Sequence, residues 1–188
     1  MRAALLLAAA APAFVLAAPE HAPRITSLKF SGTGCPNDSG SVKAVYGELG
    51  DTPSFTFSQL RGADTGNCEL HIQSTGGSQG WQVAVKEVAY QGNVQLSSGS
   101  QLDTITQAYW SEHAADTSVL RGSIAAAGPD IKDYVTVRSS TTDLKWSKCT
   151  GADGNPGILN VNARPVVQGN AGTYDIKQAT WGLQWRKC

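Results

Sequence analysis

Along most of the chain apolar residues recur at every second position, the spacing that buries one face of a β-strand and leaves the other in water. Leu28 and Phe30 share a face, Phe55 and Phe57 flank Thr56, and Cys68, Leu70 and Ile72 alternate with Glu69 and His71. Trp81, Val83 and Val85 hold one phase, after which Val88 and Tyr90 take the opposite one. A strand changes phase only through an extra residue or a change of sheet, so a bulge or sheet change is predicted near Lys86-Glu87. Val135 and Val137 alternate with Tyr134, Thr136 and Arg138; Leu159, Val161 and Ala163 with Asn160, Asn162 and Arg164; Trp181, Leu183 and Trp185 with Gly182, Gln184 and Arg186.

Between these runs stand Gly32-Thr33-Gly34, Gly62-Ala63-Asp64, Gly76-Gly77-Ser78, Ser97-Ser98-Gly99, Gly128-Pro129-Asp130 and the stretch from Gly151 to Gly157, all with turn chemistry. Turns this frequent leave little room for long helices. The span from Ser111 to Ala127 is the least strand-like and is read as one short helix or a long loop. The pattern predicts an all-β fold, a two-sheet antiparallel β-sandwich.

The N-terminus breaks the alternation. Arg2 precedes an Ala/Leu-rich run from Ala3 through Leu16, too short to span a bilayer and shaped like an export signal. Small residues at Val15 and Ala17 favour cleavage after Ala17, with Ala18 as second choice and an uncleaved anchor as the alternative. The expectation is a signal peptide over residues 1–17 and a single secreted domain over 18–188, large enough for one core and monomeric. Fifteen basic residues balance fifteen acidic ones without long blocks of either sign. Nucleic acid and anionic membrane are therefore excluded as partners, since both require a basic face.

Four cysteines in an exported chain argue for two disulfides formed in an oxidising compartment. Three connectivities are open. The cysteines fall into an N-terminal and a C-terminal couple, each member beside a predicted strand, so Cys35–Cys68 and Cys149–Cys188 are expected. Each loop would add roughly 3–4 kcal/mol in the chain-entropy description.

The segments Ser31-Gly32-Thr33-Gly34-Cys35-Pro36, Asn67-Cys68-Glu69-Leu70, Trp146-Ser147-Lys148-Cys149 and Gly182 to Cys188 resemble the signature blocks of the DUF4360 family. The resemblance runs from about Leu28 to the last residue and takes in Tyr90-Gln91-Gly92. It implies a small secreted β protein with paired cysteines, of a kind found chiefly in fungi, and carries no activity. The loop from Gly151 to Gly157 departs from the pattern by its length.

Several constellations suggest chemistry. Gly76-Gly77-Ser78-Gln79-Gly80 matches the G-x-S-x-G of a nucleophile elbow, but that serine needs a helix after it and a strand follows here, so a glycine/serine hairpin loop is the reading. His71 alternates outward from Leu70 and Ile72 as a solvated sheet residue. His113, with Asp116 nearby, suits a general acid–base pair; it lacks a second histidine at metal-ligand spacing and is read as a surface loop. His21 could chelate copper only if the chain were cut after Glu20, a poor signal-peptidase site. Asp153-Gly154-Asn155 opens like a calcium loop but lacks the glycine and glutamate that follow in one. No pair among Asp130, Asp133 and the other carboxylates can be assigned a glycosidase separation. No catalytic residue, metal or cofactor is assigned.

Trp81, Trp181 and Trp185 fall on apolar faces and are expected in the core. Tyr90 and Tyr109-Trp110 are placed near strand ends, with Trp110 as the tentative ligand platform, since an exposed aromatic face can stack on a sugar ring. Asn37-Asp38-Ser39 is the single N-x-S/T acceptor and marks Asn37 for glycosylation. These readings favour a non-enzymatic binding or structural module at the cell wall or a host surface, with polysaccharide or a host protein as partner. The alternatives are an extracellular polysaccharide-active enzyme and a protein-directed inhibitor or effector.

Overall fold

The computed structural model describes residues 18–188; the expected signal peptide, 1–17, lies outside them. Eleven strands follow in order: β1 Arg24–Ser31, β2 Val42–Ala44, β3 Ser54–Phe57, β4 Arg61–Gly62, β5 Cys68–Thr75, β6 Trp81–Leu96, β7 Gln101–Trp110, β8 Ser118–Ala125, β9 Ile131–Ser140, β10 Ile158–Gln168 and β11 Gly172–Lys187. They form two antiparallel sheets, one of five strands ordered β1-β5-β10-β7-β8 and one of six built on β2-β3-β11-β6-β9, with β4 paired to β11. Both expected disulfides are present, Cys35–Cys68 with a Cα–Cα distance of 5.3 Å and Cys149–Cys188 with 6.0 Å. The fold is the two-sheet sandwich that the alternation predicts.

The core lies between the sheets, where the inward phases meet. Leu70, Ile72, Leu159 and Val161 from one sheet face Val83, Val88, Ile176 and Trp181 from the other. Trp181 stacks on Phe55 with ring centroids 4.4 Å apart, close enough to add to plain burial. One polar pair joins the layers: Tyr90 and Thr106 share a 2.7 Å hydroxyl–hydroxyl bond in the interior, and burial pushes the Tyr90 phenol above its ordinary range.

β6 and β11 pair along nearly their whole lengths, and two extra residues break the register. Lys86 is one, skipped where Gly182 pairs Glu87 and Leu183 pairs Val85; this bulge is the predicted phase change. Lys177 is the other, opposite Gly92 and Gln91. The chain tightens there until a Cβ on Gly92 would lie 2.2 Å from the Asp175 carbonyl oxygen, so only glycine fits.

The span read as a helix or loop divides differently. Ser111–His113 form a single 3-10 turn, and Ser118–Ala125 form β8, the edge strand beside β7. Alternation is masked there because the outward positions of β8 include Val119 while an inward one is Ser118, whose hydroxyl donates to Asp143 O at 2.7 Å. The loop from Gly151 to Gly157 packs on the Gly76-Gly77 turn, with Gly76 and Gly77 N–H donating to the carbonyls of Asp153 and Gly154 at 2.9 and 3.2 Å. Gly154, at φ 65°, would place a Cβ 2.2 Å from Gly77 N.

Candidate functional site

The outer face of the six-stranded sheet carries rows of polar side chains whose neighbours follow from the register. Arg61, Asp175, Asn93 and Tyr134 form one row across β4, β11, β6 and β9. Thr56, Gln178, Gln91 and Thr136 form the next, and Thr173, Gln95 and Lys132 lie on the other side. Tyr134 is 52% exposed, a large ring standing on a polar sheet. Its hydroxyl and the amides of Gln91, Asn93, Gln95 and Gln178 make no side-chain hydrogen bond among the described residues. Asp175 and Lys177 pair beside them at 2.6 Å. A side-chain amide presents donor and acceptor together, which suits adjacent hydroxyls, and a flat ring accepts the apolar face of a pyranose.

On the five-stranded sheet a set of outward polar groups bind one another. Asn160, 2% exposed, donates through Nδ2 to Ile158 O at 3.2 Å and to Ser111 Oγ at 2.8 Å. A carbonyl only accepts, so this fixes which end of the amide is nitrogen. Asn160 Oδ1 therefore faces His71 Nδ1, which donates to it. One residue before Trp110, half-buried Tyr109 donates to Glu69 Oε1 at 2.7 Å, and that bond holds its phenol up at about 12. Gln101 and Gln168 both donate to Asp103, at 2.5 and 2.6 Å.

Trp110 is a correction. It is 2% exposed, at the inward phase at the end of β7, and its indole N–H donates to Lys145 O at 3.2 Å under the 141–150 segment. No face of its ring is open to a sugar. Tyr90 is likewise buried, well inside β6 and not near its end. Trp81, Trp181 and Trp185 are core residues, as the alternation indicates. Tyr134, by contrast, presents an exposed ring, and the signal for it was present: the alternation that turns Val135 and Val137 inward turns Tyr134 outward.

His113 ends the 3-10 turn in solvent, and its carbonyl accepts the Asp116 N–H at 2.8 Å, a turn contact between main-chain groups. Ser78 leads into β6, and its hydroxyl accepts the His21 N–H at 3.0 Å while its own N–H donates to His21 O at 3.0 Å. That exchange straps the 18–24 segment to the hairpin loop. Asn155 N–H and Asp153 Oδ1 close a turn at 3.1 Å. Asn37 is exposed in the loop after Cys35. Among the described residues no group of three or more His, Cys, Asp or Glu side chains is arranged to hold a metal ion, and no helix is long and apolar enough to cross a membrane.

The family model described as "Domain of unknown function (DUF4360)" matches residues 21–188. The chain belongs to the DUF4360 family. No curated protein matches this DUF4360 chain. Among solved structures it is similar to a family two carbohydrate esterase from Cellvibrio japonicus, at 15% identity and a TM-score of 0.25, covering 86% of this chain and 36% of that one. It is also similar to a structure described as the basis for the promiscuous specificity of carbohydrate-binding modules from the β-sandwich superfamily. There the identity is 13% and the TM-score 0.25, covering 85% of this chain and 57% of that one. The DUF4360 chain thus spans less than two thirds of either structure, and likenesses this slight bear on neither its ligand nor its activity.

Proposed function

We propose that this protein is a secreted, non-enzymatic module that binds cell-wall polysaccharide through the outer face of the six-stranded sheet. The observation that carries the reading is Tyr134, 52% exposed and beside side-chain amides that have no side-chain hydrogen bond among the described residues. Ring stacking would supply the anchor, and the amides of Gln91, Asn93 and Gln178 would orient the hydroxyls of a chain laid across β11, β6 and β9. An open sheet face suits a long polymer better than a single small ligand, because affinity is gathered from several sugar rings in succession. Export through residues 1–17 and the two disulfides belong to the same reading, since paired cysteines persist where the medium is oxidising.

The test is a pull-down of the purified mature protein with insoluble cell-wall polysaccharides, followed by a glycan array. Binding is expected for the natural chain and weakened by roughly 1–2 kcal/mol in Tyr134→Ala. Equal retention of the two proteins on every polysaccharide that binds would remove this face from consideration.

A further inference from the structure

β1 is the outermost strand of the five-stranded sheet. Its beginning is covered by the 45–49 loop, where Ile25 N–H donates to Gly47 O at 2.8 Å. From Leu28 to Ser31 β5 pairs one side, and the other has no backbone partner among the described residues. An open strand edge is where a foreign strand adds, and β proteins cover such edges. Along this one runs a groove of about 610 Å³, walled by Leu28 to Ser31 and His71 on one side and by Asn37, Asp38 and Gly40 on the other. Leu28 and Phe30, only partly buried, reach the groove from the inward phase of β1, and Lys29, Ser31 and His71 reach it from the outward phase.

Asn37 begins Asn37-Asp38-Ser39, the one acceptor triplet in the chain. The loop that carries it is held at both ends of the triplet. Cys35 is tied to Cys68, and Ser39 donates its N–H to Pro36 O at 3.2 Å around Asp38, which takes a φ of 56°. The exposed Asn37 amide therefore stands at the lip of the groove.

We infer that Asn37 is an N-glycosylation site and that the first sugars of its glycan lie in this groove, shielding the open edge of β1. The donor is an oligosaccharide linked to a lipid diphosphate. Asn37 Nδ2 bonds to the anomeric carbon of the first N-acetylhexosamine, the bond from that carbon to the diphosphate oxygen breaks, and the lipid diphosphate leaves with the electron pair. Nδ2 gives up one proton to a base of the transferring enzyme. The C–H faces of the sugars suit the edges of Leu28 and Phe30, and their hydroxyl and acetamide groups suit Lys29 and Ser31 across the strand. The groove belongs to the rim of the five-stranded sheet, so this inference stands or falls separately from polysaccharide binding at Tyr134.

The full-length chain, secreted from a eukaryotic host, provides the test. Peptide mass mapping is expected to find an N-acetylhexosamine-bearing peptide containing Asn37. The modification should be lost in Asn37→Gln and Ser39→Ala and kept in Ser39→Thr. Amide hydrogen exchange over Leu28 to Ser31 should be slower in the glycosylated protein than after enzymatic removal of the glycan, with β8 exchanging equally in both. An unmodified Asn37 in the secreted protein overturns the site. A modified Asn37 with unchanged exchange along β1 overturns the seating of the sugars.

Discussion

The two outer faces of the sandwich are both polar, yet they differ in what their polar groups are doing. On the five-stranded sheet Asn160 ties His71 to Ser111, Tyr109 is bonded to Glu69, and Asp103 takes two glutamines. On the six-stranded sheet Arg138 is bonded to Glu87 and Arg186 to Gln82, but Tyr134, Gln91, Asn93 and Gln178 have no such partners among the described residues, and the aromatic ring stands in solvent. A polar group already bonded to the protein must break that bond before it can serve a ligand; one exchanging only with water need not. On the proposed reading it is the free polar groups around Tyr134, and not the density of polar residues, that mark a binding face.

The largest effect that bears on this contrast comes from the disulfides, one beside each sheet. Replacing Cys149 and Cys188 by serine frees the end of β11, and replacing Cys35 and Cys68 frees the start of β5. The enclosed segments are similar, 33 and 39 residues of separation, so each double replacement should lower unfolding stability by about 3–4 kcal/mol in chemical denaturation. If one pair proved nearly silent, the two sheets would not be equivalently braced.

Next in size is Asn160→Ala. It strands the His71 ring and the Ser111 hydroxyl, which shared the buried amide, and should cost about 2 kcal/mol in the same measurement. Polysaccharide retention should not change. Loss of binding in a variant that still folds would move the ligand to the five-stranded face and reverse the comparison.

Tyr134→Ala should do the opposite. Binding should weaken by about 1–2 kcal/mol in a pull-down titration, while stability stays within about 0.5 kcal/mol, since the ring is half in solvent. Tyr134→Trp should bind at least as well, because a larger ring offers the sugar more apolar surface.

The smallest effect is the part of the alkaline pH dependence that Tyr109 contributes. Its phenol is raised from 10.0 to about 12, chiefly by donating to the Glu69 carboxylate, so the native state keeps a proton that the unfolded chain releases. The stabilisation from this bond is whole below about pH 10 and fades as pH climbs to about 12. Tyr109→Phe should therefore lose stability less steeply over that interval than the natural chain, as followed by denaturation at stepped pH. Equal slopes would mean that the bond to Glu69 does not distinguish this face.

The sequence by itself determined the all-β class, most of the inward residues and the phase change near Lys86-Glu87, because alternation and turn chemistry are local and strand burial follows them directly, whereas it left three cysteine pairings open and the structure chose the expected one. It also contained the outward phase of Tyr134, though nothing local distinguished that ring from one packed under a neighbouring segment. β7 was harder to read because Thr104 and Thr106 occupy its inward phase, and Thr106 belongs there only because Tyr90, on the other sheet, reaches it with a hydroxyl. Trp110 is hidden for a like reason: the 141–150 segment closes over the end of β7 and gives its indole a carbonyl to bond. Which polar residues find partners is set by contacts between positions far apart in the chain, such as Asn160 with His71 and Tyr109 with Glu69, separated by 89 and 40 residues. Only the tertiary structure could decide them, because a side chain's partner depends on which strands lie next to each other, and local periodicity carries no record of that order.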